Sequence, residues 1–278
     1  MQSAYLAAAK LARRAAAEDR PEDVEHLRDT QVVVVSGLYD RGETVFERAG
    51  IPVTTIQPKS MARRRLDPDQ ILFVNCPGQL TPAGLRRVEA FVRGGGLLVT
   101  TDWALKNVLE KAFPGYVEAN GRNTKDDVVR VEFRSCADTF LEGLLDPDDD
   151  PLWWLEGSSY PIRVLDDSVT VLASSREMGR RYGDPAVAVS FEVDAGKVYH
   201  LTSHFYLQRT ETRTARDRDR GLAFLRKKCA LAEEILSAEE RSVLDEVNYA
   251  QAQSAYTSTR ALLNLVIEQG RRAKARKR

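Results

Sequence analysis

Val32-Val33-Val34-Val35 places four β-branched residues in a row, and no other stretch constrains the fold as much. A run that is apolar at every position suits a strand covered on both faces, as in a parallel sheet flanked by helices. Two similar runs follow, Ile71–Val74 and Leu97–Thr101, with helix signals between the runs. Gly42 to Ala49 reads as a helix closed by Gly50. Thr81 is an N-cap and Pro82 a first helical residue; Leu85, Val88, Phe91 and Val92 then share one face up to Gly94-Gly95-Gly96. "IPVTTIQP" is a weaker strand near a sheet edge, and "DWALKNVLEKAF" a helix that stops before Pro114. This alternation predicts an α/β domain with a flavodoxin-like (Rossmann-like), doubly wound, mostly parallel sheet.

The middle of the chain changes character. "YVEANG", "DDVVRVEF", "PLWWLEG", "YPIRVLD", "VTVLASS" and "PAVAVSFEV" are short strand-like pieces between turn residues. Trp153 and Trp154 are adjacent, so in a strand they face opposite ways. "DPDDDP", 146–151, lacks the central glycine and distal glutamate of a calcium loop and reads as a solvated loop. "GKVYHLTSHF" returns to a buried strand that delivers His204 at its end. From Asp217 onward the pattern is helical, and Ser237 to Glu240 has capping-box spacing that opens a helix of roughly 30 residues. The expected organisation is an N-terminal helical extension (1–29), the α/β domain (30–207) and a C-terminal helical extension with a basic tail (208–278).

Composition bounds the function. Lys+Arg and Asp+Glu both number 41, so no global field draws the chain to nucleic acid or a membrane. No apolar run approaches the roughly 20 residues that span a bilayer. Three cysteines, Cys76, Cys136 and Cys229, are too few and scattered for a disulfide framework or a metal knuckle; they predict a reducing, cytoplasmic setting with no metal and no cofactor. The one local excess of charge is "RRAKARKR", Arg271 to Arg278, read as a disordered tail with weak, salt-sensitive affinity for nucleic acid. The arginines of Gln208–Arg220 are interleaved with acids and read as solvated, self-paired charge.

In an open parallel sheet, ligands sit beyond the carboxyl ends of the strands. Four tips therefore matter: Ser36 to Asp40, Asn75 to Gly78, Thr100 to Trp103, and Ser203 to Tyr206. The candidate ligand-binding residues are Tyr39, Asp40, Cys76, Pro77, Gly78, Asp102, Trp103 and His204. Cys76 reads as a small apolar filler, Asp102 as a cap for the following helix, and His200 as a satisfied core histidine.

"ILFVNCPGQLTPAGLRRVEAFVRGGGLLVTTDWAL", with "GKVYHLTSHF" further on, resembles class I glutamine amidotransferases, and their ThuA-like branch in particular. The resemblance implies that "NCPG" forms an oxyanion turn, that Thr101 stands where the family's nucleophile would be, that His204 matches its histidine, and that Tyr206 stands in the acid's place. A threonine without a matched carboxylate behind the histidine implies no glutaminase activity. The expectation is a non-catalytic adaptor or subunit of a larger bacterial assembly, docking protein partners through its C-terminal helices. The alternatives are a binding domain for a sugar, nucleotide or amino acid, and a hydrolase using Cys76 or Thr101 with His204.

Overall fold

The computed structural model describes residues 2–23, 26–134, 138–144, 151–204, 214–228 and 236–278. Tyr206, Cys136, Cys229, Gln208 to Arg213 and most of the acidic loop at 146–151 lie outside them.

Five strands form the parallel half of the main sheet: β1 (Val32–Val35), β2 (Val53–Ile56), β3 (Ile71–Val74), β4 (Leu97–Thr101) and, late in the chain, Gly196–Leu201. Between β4 and that last strand come β5 (Val117–Ala119), β6 (Asp127–Arg130), β7 (Glu132–Phe133), β8 (Leu152–Leu155), β9 (Ile162–Val164), β10 (Thr170–Ser174) and β11 (Ala186–Val193), so Gly196–Leu201 is β12. The order across the sheet is β2-β1-β3-β4-β12-β11-β10-β7, with β9 on β11 and β5 on β9; β6 and β8 form a separate pair. Val34 faces Phe73, and Phe73 faces Val99, in parallel register.

The expectation of a flavodoxin-like, Rossmann-like, mostly parallel sheet is corrected here. The ten-stranded sheet has four parallel pairings and five antiparallel ones. The cause is local. β11 turns into β12 through Asp194-Ala195, and so short a connection can only join antiparallel strands. The short strands of the middle segment then extend the same edge. The sheet is open and mixed.

Each face carries its own core. One contains Val33, Val35, Leu72, Val74, Val88, Val92 and Val108. It lies under the helix Pro82–Arg93, whose N-cap Thr81 accepts a hydrogen bond from Gly84 N–H, and under a π-helical turn, Leu105–Leu109. The opposite core joins Val32, Val34, Phe73 and Val99 to Ala8, Leu11 and Ala12 of the helix Gln2–Asp19 and to Leu262, Leu265 and Val266 of the helix Tyr249–Arg276. The terminal helices therefore cover one face of the sheet and pack on each other.

Two readings of the C-terminal region change accordingly. The capping box at Ser237 opens only Ala238–Glu246; Val247 is extended, and a second capping box, Asn248 with Gln251, opens the long helix. The basic end is helical to Arg276 rather than disordered. Four of its six basic residues are engaged at home: Arg271 with Asp23, Arg272 bidentate on Glu192 at 2.9 and 2.8 Å, Arg276 and Lys277 on Asp69 at 2.8 and 2.7 Å. Among the described residues, no helix is long and apolar enough to cross a membrane.

Candidate functional site

The tips of β1, β3, β4 and β12 meet at one crest. Gly37, just past β1, packs so closely on the β3 tip that a Cβ there would lie 2.2 Å from the Cys76 carbonyl oxygen. That carbonyl accepts Leu38 N–H at 3.0 Å. Cys76-Pro77 is a cis peptide. Pro77 offers its carbonyl to Asn107 Nδ2 at 2.7 Å, and Gly78, at φ +68°, rests on Ala104 of the π-helical segment. Pro77 and Gly78 thus tie the turn to the π-helical segment.

Thr101 braces three tips. Its hydroxyl donates to Asp40 Oδ2 at 2.6 Å and accepts from Cys76 N–H at 3.1 Å. It is fully buried, with its proton committed to a carboxylate, so it is not placed as a nucleophile. Asp40 lies beneath the site and is equally buried. Burial pushes its carboxyl above the usual range, against the opposing pull of His204 and the Thr101 hydroxyl.

Above this brace stands the cluster itself. His204, with its side chain only 3 % exposed, places Nδ1 2.5 Å from Glu156 Oε2 and Nε2 3.6 Å from Asp102 Oδ2. The Glu156 contact lacks the alignment of an N–H···O hydrogen bond and the Asp102 contact is too long for one, so both are ion pairs. The Cys76 thiol, an Asp102 oxygen and an imidazole nitrogen lie within 4.8 Å of one another. Burial opposes charge on His204, but Cys76, Glu156 and Asp40 outweigh it and lift the ring to about 11, so it is an imidazolium at neutral pH. Burial lifts Asp102 to about 6, opposed by His204 and by the Ser159 hydroxyl. Burial also raises the Cys76 thiol, although the imidazolium beside it pulls the other way.

The expectation that Asp102 caps the next helix is not met. Its carboxylate turns into the site, where it accepts from Ser159 Oγ at 3.1 Å and Tyr160 N–H at 3.3 Å. Asp102 sits at φ +45°, Ser158 at +75° and Ser203 at +67°. Non-glycine residues rarely adopt this region, and three of them border one cluster. Ser203 Oγ also accepts Glu156 N–H at 3.1 Å and lies 3.1 Å from Ser159 Oγ.

An aromatic edge flanks the cluster. Trp103 stacks on Tyr160 with ring centres 6.1 Å apart, and Tyr39 meets Trp103 edge-on at 5.4 Å. Trp103 Nε1–H donates to the Ser158 carbonyl at 2.7 Å. Tyr39 is 54 % exposed. The Trp153–Trp154 pair faces opposite ways as expected: Trp153 Nε1–H reaches the Thr202 carbonyl and Trp154 Nε1–H reaches Asp126. His200 is a core residue, 2.8 Å from Thr100 Oγ1, and burial holds its ring down to about 3.

Sequence reasoning brought Tyr39, Asp40, Cys76, Thr101, Asp102, Trp103 and His204 to one crest. It placed Ser203 at one of the tips without a role, and missed Glu156 and Ser159. Glu156 follows β8, whose pairing with β6 no local pattern specifies.

No family model and no curated protein matches this chain. Solved structures do. Gan42B, a GH42 β-galactosidase from G. stearothermophilus, is 15 % identical at TM-score 0.41, covering 63 % of this chain and 27 % of the other. The exo-β-1,4-mannosidase Op5Man5 from Opitutaceae bacterium strain TAV5 is 10 % identical at TM-score 0.43, covering 68 % and 33 %. The cytoplasmic protein STM3548 from Salmonella typhimurium is 12 % identical at TM-score 0.44, covering 66 % and 90 %. The chain thus spans about a quarter to a third of the two glycosidases. With the sheet mixed and Thr101 tied to Asp40, the amidotransferase-like and ThuA-like labels are withdrawn.

Proposed function

We propose that this chain binds a small polar molecule at the crest of β1, β3, β4 and β12. The observation that carries the reading is the cluster of Cys76, Asp102, Glu156 and His204, bordered by three left-handed non-glycine residues and flanked by Tyr39, Trp103 and Tyr160. Strain and buried charge kept together at strand tips are features that stability alone does not favour. Carboxylates that accept hydrogen bonds, beside an aromatic wall, suit a sugar or an amino acid better than the phosphates of a nucleotide, which Asp102 and Glu156 repel. The reading sits in a reducing, cytoplasmic setting, where a free thiol such as Cys76 persists.

A thermal-shift panel of sugars, amino acids and nucleotides tests this reading. Stabilisation of the native chain that is lost in both His204→Ala and Trp103→Ala supports it. A panel that shifts nothing sinks it.

A second reading, a hydrolase with Cys76 as nucleophile, is favoured by one feature: Glu156 holds the far nitrogen of the imidazole that meets the thiol. Burial, which keeps the thiol protonated, opposes it. Rapid alkylation of Cys76 by iodoacetamide at neutral pH, slowed in His204→Ala, would favour this second reading.

A further inference from the structure

The geometry points to a zinc-class divalent cation site at this crest, with Cys76 Sγ, an Asp102 carboxylate oxygen and His204 Nε2 as ligands. The three side chains offer donor atoms of three kinds, all within 4.8 Å of one another. A tetrahedral zinc ion holds its donors about 3.5 Å apart, so small side-chain rotations close the site. Thiolate, imidazole and carboxylate together are a borderline-soft set that suits zinc or cobalt better than magnesium or calcium.

A second observation is independent of the spacing. His204 Nε2 is buried, makes no hydrogen bond and is aimed at Asp102. Its ion pair with Asp102, at 3.6 Å, leaves this buried nitrogen without a hydrogen bond, and a coordinate bond to a cation would satisfy it.

The surroundings are arranged as an outer shell. Glu156 Oε2 lies 2.5 Å from His204 Nδ1, so a small rotation of either side chain would give the carboxylate–histidine hydrogen bond that orients a ligating imidazole. Ser159 Oγ and Tyr160 N–H hold the two oxygens of Asp102. Thr101 fixes the Cys76 backbone. Asp40, Asp102 and Glu156 place three carboxylates around the positive His204 ring, and a divalent cation would take over that charge as the imidazolium and the Cys76 thiol each release a proton to solvent. Three protein ligands leave a fourth position for water or for a donor atom of the bound molecule. In that last respect the inference rests on the small-molecule reading; metal binding itself does not.

The test uses the full chain stripped with EDTA and titrated with cobalt(II), then zinc(II), with no small molecule present. One equivalent should bind and produce a thiolate-to-cobalt charge-transfer band, and zinc should abolish the band. Cys76→Ser should lose the band, and Asp102→Asn should weaken binding at least tenfold. Glu156→Gln should keep the band and lose about 10- to 100-fold in zinc affinity. Melting curves of each stripped variant separate lost binding from lost folding. If the native chain gives no charge-transfer band, or if Cys76→Ser retains it, the inference is overturned. Zinc binding without any small-molecule shift leaves the metal site standing and removes the function reading; a shift in EDTA-treated protein that binds no cobalt does the reverse.

Discussion

Glu156 Oε2 stands 2.5 Å from His204 Nδ1, although β9, β10, β11 and β12 separate the two residues in sequence. The carboxylate that orients this histidine comes from the end of β8, not from the residues just after His204. With Asp40, Asp102 and Cys76 also facing the ring, His204 is held as an imidazolium.

The charge on His204 makes stability depend on pH with a definite sign. Its value rises from 6.5 to about 11 on folding, so between these values the native state binds the extra proton. The stabilising increment is complete below pH 6.5 and declines as pH rises toward 11. Urea denaturation in EDTA across this range should show native minus His204→Gln stability shrinking with pH. A difference that is flat from pH 6.5 to 10 contradicts the ion-pair geometry.

His200 should act in the opposite direction at acid pH. Burial lowers its value from 6.5 to about 3, so the unfolded state takes up the proton first. Stability should rise between pH 3 and 6.5 for that reason. His200→Phe, which fills the space without a titrating group, should flatten this part of the curve in thermal melts; an unchanged slope argues against a neutral, buried ring.

Thr101→Val keeps the shape of the side chain and removes its hydroxyl. Asp40 then loses a donor and Cys76 N–H loses its acceptor, both in a buried setting. The loss should be about 3 kcal/mol in chemical denaturation, since each stranded polar group costs roughly 1–3 kcal/mol. A loss below about 1 kcal/mol would mean that the brace is not formed.

Leu265→Ala tests whether the long helix belongs to the core. Leu265 is fully buried in the same apolar cluster as Val32 and Phe73. A drop of about 2–5 kcal/mol is expected. A helix that served only to dock partners would tolerate the change within about 0.5 kcal/mol, the usual range for exposed positions.

Much of the parallel half was legible because its signals are local. Val32–Val35, Ile71–Val74 and Leu97–Thr101 carry both-face burial in their composition, and Thr81-Pro82 marks its helix start by cap chemistry. The antiparallel half was not, because β7, β9 and β10 are short strands whose partners are chosen by tertiary packing rather than by pattern. The break before Asn248 did have a signal, Asn248 with Gln251, but the stronger capping box at Ser237 masked it. At the site, Cys76, Asp102 and His204 were found because strand tips are where ligands sit. One role was misjudged: Asp102 turns inward instead of capping, while Cys76 is buried as expected and also meets an imidazole.

The contact between helices Gln2–Asp19 and Tyr249–Arg276 joins segments more than two hundred positions apart. Closing so long a loop is entropically slow, and local elements form well before it. Until that clasp shuts, Val32, Val34, Phe73 and Val99 face water as a bare apolar sheet. Variants that loosen the clasp should therefore expose this face and aggregate before they show any defect at the crest.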